Sequence, residues 1–238
     1  MKAWYEGKTI LITGATDGIG RELARRLSGS AALLILVGRS LDKFASLAFE
    51  LDTTRAVFIP RNMSDVETVE DLREWNIDAF VNCVGGTDLK LFEQLSVNEI
   101  RATLETNLTA PIIWLHHILP TMKPGSRVVL MSSRSGERAL TRLSIYTAAK
   151  AAIERLADAL RNEYVRRGIS FTVISPGSVQ TAFTRNWTDA DRNDHNDESI
   201  GVDEAVEPIL MALSVPFAVN KVSYESFKQW RNEPGVLK

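Results

Sequence analysis

The 238-residue chain is 45% apolar and carries a formal net charge of −2. That apolar share excludes a disordered chain, and the near-neutral, interspersed charge gives no sign of a nucleic-acid surface or an acidic tail. The single cysteine, Cys83, excludes an internal disulfide. The stretch Met1 to Gly7 has no apolar core of signal type, and the longest apolar run, Ala31 to Val37, is too short to cross a bilayer. The expectation is a cytoplasmic chain with no membrane partner.

Lys8 to Thr13 is a short apolar run read as a buried strand. Gly14, Ala15, Thr16, Asp17, Gly18, Ile19 and Gly20 follow, and Arg21 to Leu27 has helical spacing. Strand, glycine turn and helix in this order form a cradle for a pyrophosphate, because glycines let the backbone bend and approach while the helix N-terminus offers free N–H groups. The alternative is a tight turn with no ligand. The next strand, Ala31 to Val37, ends in Gly38-Arg39-Ser40. A dinucleotide fold puts the adenosine ribose here. A cation and a hydroxyl at this point suit a 2′-phosphate, where an acid would suit a plain 2′-hydroxyl. The expectation is therefore NADP(H), with Arg39 as a merely solvated side chain as the alternative. Asp42 is a residue too far along for the acid and supports the next helix instead.

Leu41 to Leu51 reads as an amphipathic helix and Arg55 to Ile59 as a third strand, followed by a loop carrying Asn62 and Met63. Glu67 to Trp75 reads as a short helix. Ile77 to Val81 is a fourth strand running into Asn82, Cys83, Val84 and Gly85. Val97 to Met122 is a long helical tract with Pro111 near the start of its second half. Arg127 to Met131 is the fifth strand. The helix holding Tyr146 and Lys150 ends at Gly168, and Ile169 to Ile174 is the sixth strand, broken by Pro176-Gly177. Residues 182–200 are polar and long for a connection, and read as a lid or substrate loop. Val202 to Leu213 is a helix, Val219 to Tyr224 a last strand, and Ser226 to Arg231 a short helix. Alternating strands and helices imply one α/β domain over 1–238: a doubly wound, Rossmann-like parallel sheet of seven strands flanked by helices.

Tyr146 and Lys150 stand one helical turn apart, on one face. A cation beside a phenol favours its ionised form, and a phenol tuned this way can exchange a proton with a carbonyl or alcohol oxygen. Ser133, at the end of the fifth strand, can offer that oxygen a second hydrogen bond. By itself the pair is as consistent with a packed ring beside a solvated amine. What adds weight is position: the glycine turn, Asn82, Ser133 and Pro176 all follow strands, so a parallel sheet gathers them on one edge.

These motifs together resemble the short-chain dehydrogenase/reductase family over residues 8 to 181. Thr13 to Gly20 is similar to its TGxxxGxG motif, and Asn82-Cys83-Val84-Gly85 to its NNAG motif with departures at the second and third positions. Asn107, Ser133, Tyr146 and Lys150 match its catalytic set, and Pro176-Gly177-x-Val179-x-Thr181 its nicotinamide loop. Asn62 stands where many members carry an Asp that accepts from adenine.

The resemblance implies an NADP(H)-dependent oxidoreductase interconverting a small carbonyl and its alcohol. Tyr146 would be the proton donor, Ser133 the holder of the substrate oxygen, Lys150 the ribose ligand, and Asn107 the holder of a relay water. The substrate pocket would involve Leu140, Leu143, Phe183 and Trp187. The helix with His116 and His117 is similar to the family's subunit interface, implying a homodimer or homotetramer rather than a metal site. Arg134, Arg138 and Arg142 are either an anion-attracting mouth or a solvated face balanced by Glu137. Two other readings remain open: an NAD-dependent alcohol dehydrogenase, and a non-catalytic NADP-binding regulator on the same fold.

Overall fold

The computed structural model describes residues 3–65, 72, 74–191, 193 and 199–231. The helix expected over Glu67 to Trp75 lies largely outside these, as do parts of the 182–200 segment. Strands β1 (Thr9–Thr13), β2 (Leu33–Gly38), β3 (Ala56–Pro60), β4 (Ala79–Asn82), β5 (Arg127–Met131), β6 (Ser170–Pro176) and β7 (Lys221–Tyr224) form one sheet in the order β3-β2-β1-β4-β5-β6-β7. Each neighbouring pair is parallel. The expected sheet is therefore present, with its order reversing between β1 and β4. At such a switch point the connections leave toward opposite faces and open a crevice at the strand C-termini.

The strands read as continuous apolar runs because both faces are covered. On one face Leu11, Ile35, Phe80, Val128 and Phe171 pack with Trp114, Ile118, Ile153 and Ala157. On the other, Ile10, Ile12, Leu36, Val81 and Val129 pack with Leu23, Leu27, Phe44, Leu47 and Ile209. Residue-by-residue alternation along each strand thus feeds two separate cores.

Among the described residues the α-helices are α1 (Gly18–Leu27), α2 (Leu41–Ala48), α3 (Val97–Leu104), α4 (Ala110–Ile118), α5 (Arg134–Glu137), α6 (Ser144–Tyr164), α7 (Val202–Ala205), α8 (Glu207–Ser214) and α9 (Phe227–Arg231). The single helical tract expected over 97–122 is divided. A π-turn, Glu105–Thr109, separates α3 from α4, and the Ala110 N–H reaches back to the Glu105 carbonyl. Pro111 has no N–H to give the carbonyl four residues before it, so the regular ladder cannot pass this point. Pro208 divides the expected 202–213 helix into α7 and α8 in the same way. Gly168 closes the α6 segment at φ 65°, a left-handed position that suits glycine.

A buried polar network pins α6 to the sheet. The Glu154 carboxylate accepts from Ser132 Oγ (2.8 Å), Ser175 Oγ (3.1 Å) and Lys221 Nζ (2.6 Å). It is only 5% exposed. Removing its cation leaves a buried charge with hydroxyl partners alone, which is costly. Lys221→Met is expected to lower unfolding free energy by about 3 kcal/mol, read by urea denaturation. A loss below about 1 kcal/mol would show that water reaches the carboxylate and that the network adds little.

Candidate active site

The C-terminal edge of the sheet opens into a cleft of about 1180 Å³. Its floor begins at the turn after β1. Gly14 is at φ +71°, and a Cβ there would stand 3.1 Å from the Cys83 carbonyl carbon. Gly18 faces Thr181, whose Cγ2 would lie 2.9 Å from an added Cβ. Gly14, Thr16, Asp17, Gly18 and Ile19 line the cleft. Asp17 caps α1, accepting from the Gly18 N–H at 2.9 Å, and pairs with Lys43. Gly20 does not face the cleft. It is the point where α1 touches the turn, a Cβ there falling 2.3 Å from the Gly14 oxygen.

Past the ends of β2 and β3 the cleft is lined by Arg39, Ser40, Asn62 and Met63, and also by Lys43 and Arg61. Ser40 is the N-cap of α2, accepting from the Lys43 N–H at 3.3 Å, which leaves its hydroxyl proton for another partner. Asp42 sits in the first turn of that helix. The Met63 carbonyl accepts from buried Trp114 Nε1 at 2.8 Å, so α4 fixes this loop from behind. Lys43 and Arg61 were legible only by extending the strand-end argument, one into α2 and one just past β3.

Asn82 and Asn107 stand behind the cleft wall rather than in it. Asn82, 2% exposed, accepts from Thr13 Oγ1 (2.8 Å) and the Val84 N–H (3.3 Å), tying β1 to the loop after β4. Asn107, on the π-turn, donates to the carbonyls of Gly86 (2.7 Å) and Thr103 (2.8 Å) and accepts from the Gly86 N–H (3.3 Å). A Cβ on Gly85 would lie 3.3 Å from Asn107 Oδ1 and 3.5 Å from Lys150 Nζ, so glycine lets both approach one backbone segment.

The centre of the cleft holds Ser133, Tyr146 and Lys150. Ser133 caps α5, accepting from the Ser135 N–H at 3.1 Å. Ser132 turns away to Glu154 and the Lys150 carbonyl (3.2 Å), which settles that Ser133 and not Ser132 faces Tyr146. Tyr146 and Lys150 lie on one face of α6, the ammonium 5.5 Å from the ring centroid. Lys150 Nζ donates to the Met131 carbonyl at 2.9 Å.

The electrostatics depart from expectation. Burial raises the Tyr146 phenol above its ordinary value, and a hydrogen bond with Ser133 pulls it partly back. The Lys150 ammonium, engaged with Met131, is not what sets the phenol here. Burial instead lowers Lys150 to about 8, with Cys83 opposing. Burial raises Cys83 to about 12, so it stays a thiol and an apolar part of the floor.

Pro176, Gly177, Val179 and Thr181 line the far wall. Behind them the C-terminal segment is packed closely: a Cβ on Gly177 would fall 2.3 Å from Gln229 Oε1. Gln229 holds Ser178 twice, accepting from its N–H (3.0 Å) and donating to its hydroxyl (2.6 Å). Nothing in the sequence pointed to that clamp. Over the other half of the cleft, Phe183 meets Tyr146 edge-on at 5.4 Å, and Leu143 and Trp187 complete a small apolar cluster. Leu140 also lines the cleft.

Of the three arginines, Arg134 pairs with Glu137 and Glu225, and Arg142 with Asp191. Among the described residues, no three His, Cys, Asp or Glu side chains group as a metal site. None of the described helices is long and apolar enough to cross a membrane.

A glycine turn at a helix N-terminus, lying in the crevice of a doubly wound parallel sheet, is the arrangement of a dinucleotide-binding protein. Residues 8–192 match the family described as short chain dehydrogenase, and the chain belongs to that family. It is an oxidoreductase of a class that uses a nicotinamide cofactor. A relative from Staphylococcus aureus strain N315, known only as an uncharacterised oxidoreductase, is 28% identical over 221 residues, spanning 90% of this chain and 94% of its own. The closed form of a serine dehydrogenase complexed with NADP+ superposes with a TM-score of 0.87 at 21% identity, over 97% of this chain and 99% of that one. A short chain dehydrogenase from Burkholderia cenocepacia in complex with NADP gives 0.83 at 22%, over 93% and 97%. At these identities the two structures speak for the fold.

Proposed function

We propose that the chain is an NADPH-dependent reductase of small carbonyl compounds, running the reverse alcohol oxidation under the opposite balance of reactants. The observation that carries this is the meeting of Ser133, Tyr146 and Lys150 at the centre of a glycine-floored cleft. The residues present fit a dinucleotide. Gly14 and Gly18 let the backbone of the floor approach a ligand closely, and the N-cap acid of α1, Asp17, is neutralised by Lys43. Arg39, Lys43 and Arg61 supply cations where a 2′-phosphate would lie.

The cofactor, when bound, supplies the hydride that reduces the carbonyl carbon. The protein positions the substrate and moves the proton. Ser133 donates a hydrogen bond to the carbonyl oxygen and polarises it. Tyr146 gives its phenolic proton to that oxygen as negative charge develops, so the product is a neutral alcohol. A phenol held protonated by burial is the correct form for a donor in the reductive direction. Lys150 keeps a positive charge below about pH 8 beside the ribose position. Asn107 holds the Gly85–Gly86 backbone and would seat a relay water. The same reading has the chain self-associating as a homodimer or homotetramer through α4, whose Ile112 and His116 are exposed while Trp114 and Leu115 are buried.

Arg39 tests the cofactor preference. Arg39→Ala is expected to weaken NADPH binding by roughly thirtyfold, the loss of one charge-assisted hydrogen bond of about 2 kcal/mol, and to leave NADH binding unchanged. Fluorescence titration with both cofactors reads it. Tighter binding of NADH than of NADPH by the unaltered protein would overturn the NADP assignment in favour of an NAD-dependent alcohol dehydrogenase.

A further inference from the structure

Residues 182–191 run across the substrate half of the cleft and are tied down at several points. Asn186 Nδ2 donates to the Asp88 carboxylate at 3.2 Å, and Trp187 Nε1 to the Thr87 carbonyl at 3.4 Å. The strongest tie is Arg142. Its guanidinium grips Asp191 with both prongs, at 2.7 and 3.1 Å, and also donates to the Leu89 carbonyl at 3.1 Å. The Arg142 carbonyl accepts from the Lys90 N–H at 3.1 Å. One residue therefore joins three loops: the one after β4, the one before α6, and the segment over the cleft.

Arg142 does so at φ +67°, in the left-handed region that favours glycine. Strain of this kind persists only where surrounding contacts over-determine it, and it concentrates at functional sites. The next residue, Leu143, is buried with Tyr146 and Trp187, with Phe183 packed against them. Phe183 lies edge-on to Trp187 at 5.9 Å as well as to Tyr146. The grip on Asp191 thus holds two aromatic rings against the central tyrosine.

We propose that Arg142 and Asp191 form a latch that positions Phe183 and Trp187 as the apolar wall of the substrate site, selecting carbonyl compounds with an aromatic or bulky apolar body over short polar ones. This rests on the reductase reading above. The pair acts through the two rings and touches no reacting atom, so both are positioning residues.

The test uses Arg142→Ala, Asp191→Asn, and the reversed pair Arg142→Asp with Asp191→Arg, assayed with NADPH on an aryl ketone and a short aliphatic ketone. Each single variant is expected to raise KM for the aryl ketone about tenfold. The effect on kcat and NADPH affinity should stay within about twofold, because those groups are untouched. KM for the aliphatic ketone should move less, and the reversed pair should recover part of the loss. Amide hydrogen exchange across 182–191, measured without substrate, should quicken in each single variant. Unchanged KM and unchanged exchange in both singles would overturn the latch. If the unaltered protein reduces no ketone, the reductase reading fails, while exchange still decides the latch. Should Arg142→Ala not fold, Asp191→Asn carries the test.

Discussion

Tyr146→Phe is expected to lower turnover by roughly 10²- to 10⁴-fold, the usual contribution of a positioned proton donor. NADPH affinity should change by less than about threefold, because removing one hydroxyl leaves the glycine floor and the cations intact. The ring of Tyr146 packs with Leu143 and Trp187, and phenylalanine fills the same volume, so the fold should not suffer. The reason for so large an effect is that burial keeps the proton on the phenol, against the smaller opposing pull of Ser133, and phenylalanine has no proton to give. Steady-state kinetics on a true substrate with parallel cofactor titration separates the two quantities. Wild-type turnover by this variant would remove Tyr146 from the chemistry.

Gly20→Ala is expected to be nearly as damaging, by another route. The new methyl carbon would lie 2.3 Å from the Gly14 oxygen and 2.8 Å from its carbonyl carbon. Both are backbone atoms of a turn held at φ +71°, so neither can swing aside as a side chain would. Either α1 withdraws from β1 or the turn deforms. Overpacking of this kind costs about 3 kcal/mol at its upper range, and the cradle is lost with it. We expect NADPH affinity to fall at least about a hundredfold, by about 3 kcal/mol of lost contact and deformation. Gly86→Ala is the control, since a Cβ there meets nothing within 4 Å, and its melting temperature should be unchanged. Isothermal titration and thermal melts on both variants decide it.

Much of the framework could be read from the chain because it depends on local rules. The six strands from Thr9 to Pro176 are apolar runs bounded by turn residues, and their parallel order follows from the alternation of strand and helix read along the chain. Gly14, Gly18, Ser133, Tyr146 and Lys150 sit just past strands or on the helix that follows, so the sheet brings them together once its order is set. What escaped depends on contacts distant in sequence. The π-turn carrying Asn107 arises from a missing N–H at Pro111, which the pattern marked as an interruption without giving its form. The direction of the Tyr146 shift depends on burial by Phe183 and Trp187 and on Lys150 turning to Met131, neither visible in a spacing of four. Gln229 reaches Ser178 across fifty-one positions, and only folding reveals it.

The position of β7 has a consequence for how the molecule is made. Among the described residues it pairs with β6 alone, and it brings in the segment that backs Gly177. As the polypeptide leaves the ribosome, six strands are available to assemble while the segment that backs the far wall, with Glu225 and Gln229, is still unsynthesised. Until Lys221 to Tyr224 emerge, the bare backbone of β6 is a sticky flank open to any passing strand. Translation stalled or clipped short of that point would therefore yield a nearly complete sheet prone to clumping, with its glycine turn in place and the Gly177–Ser178 backbone left without its support.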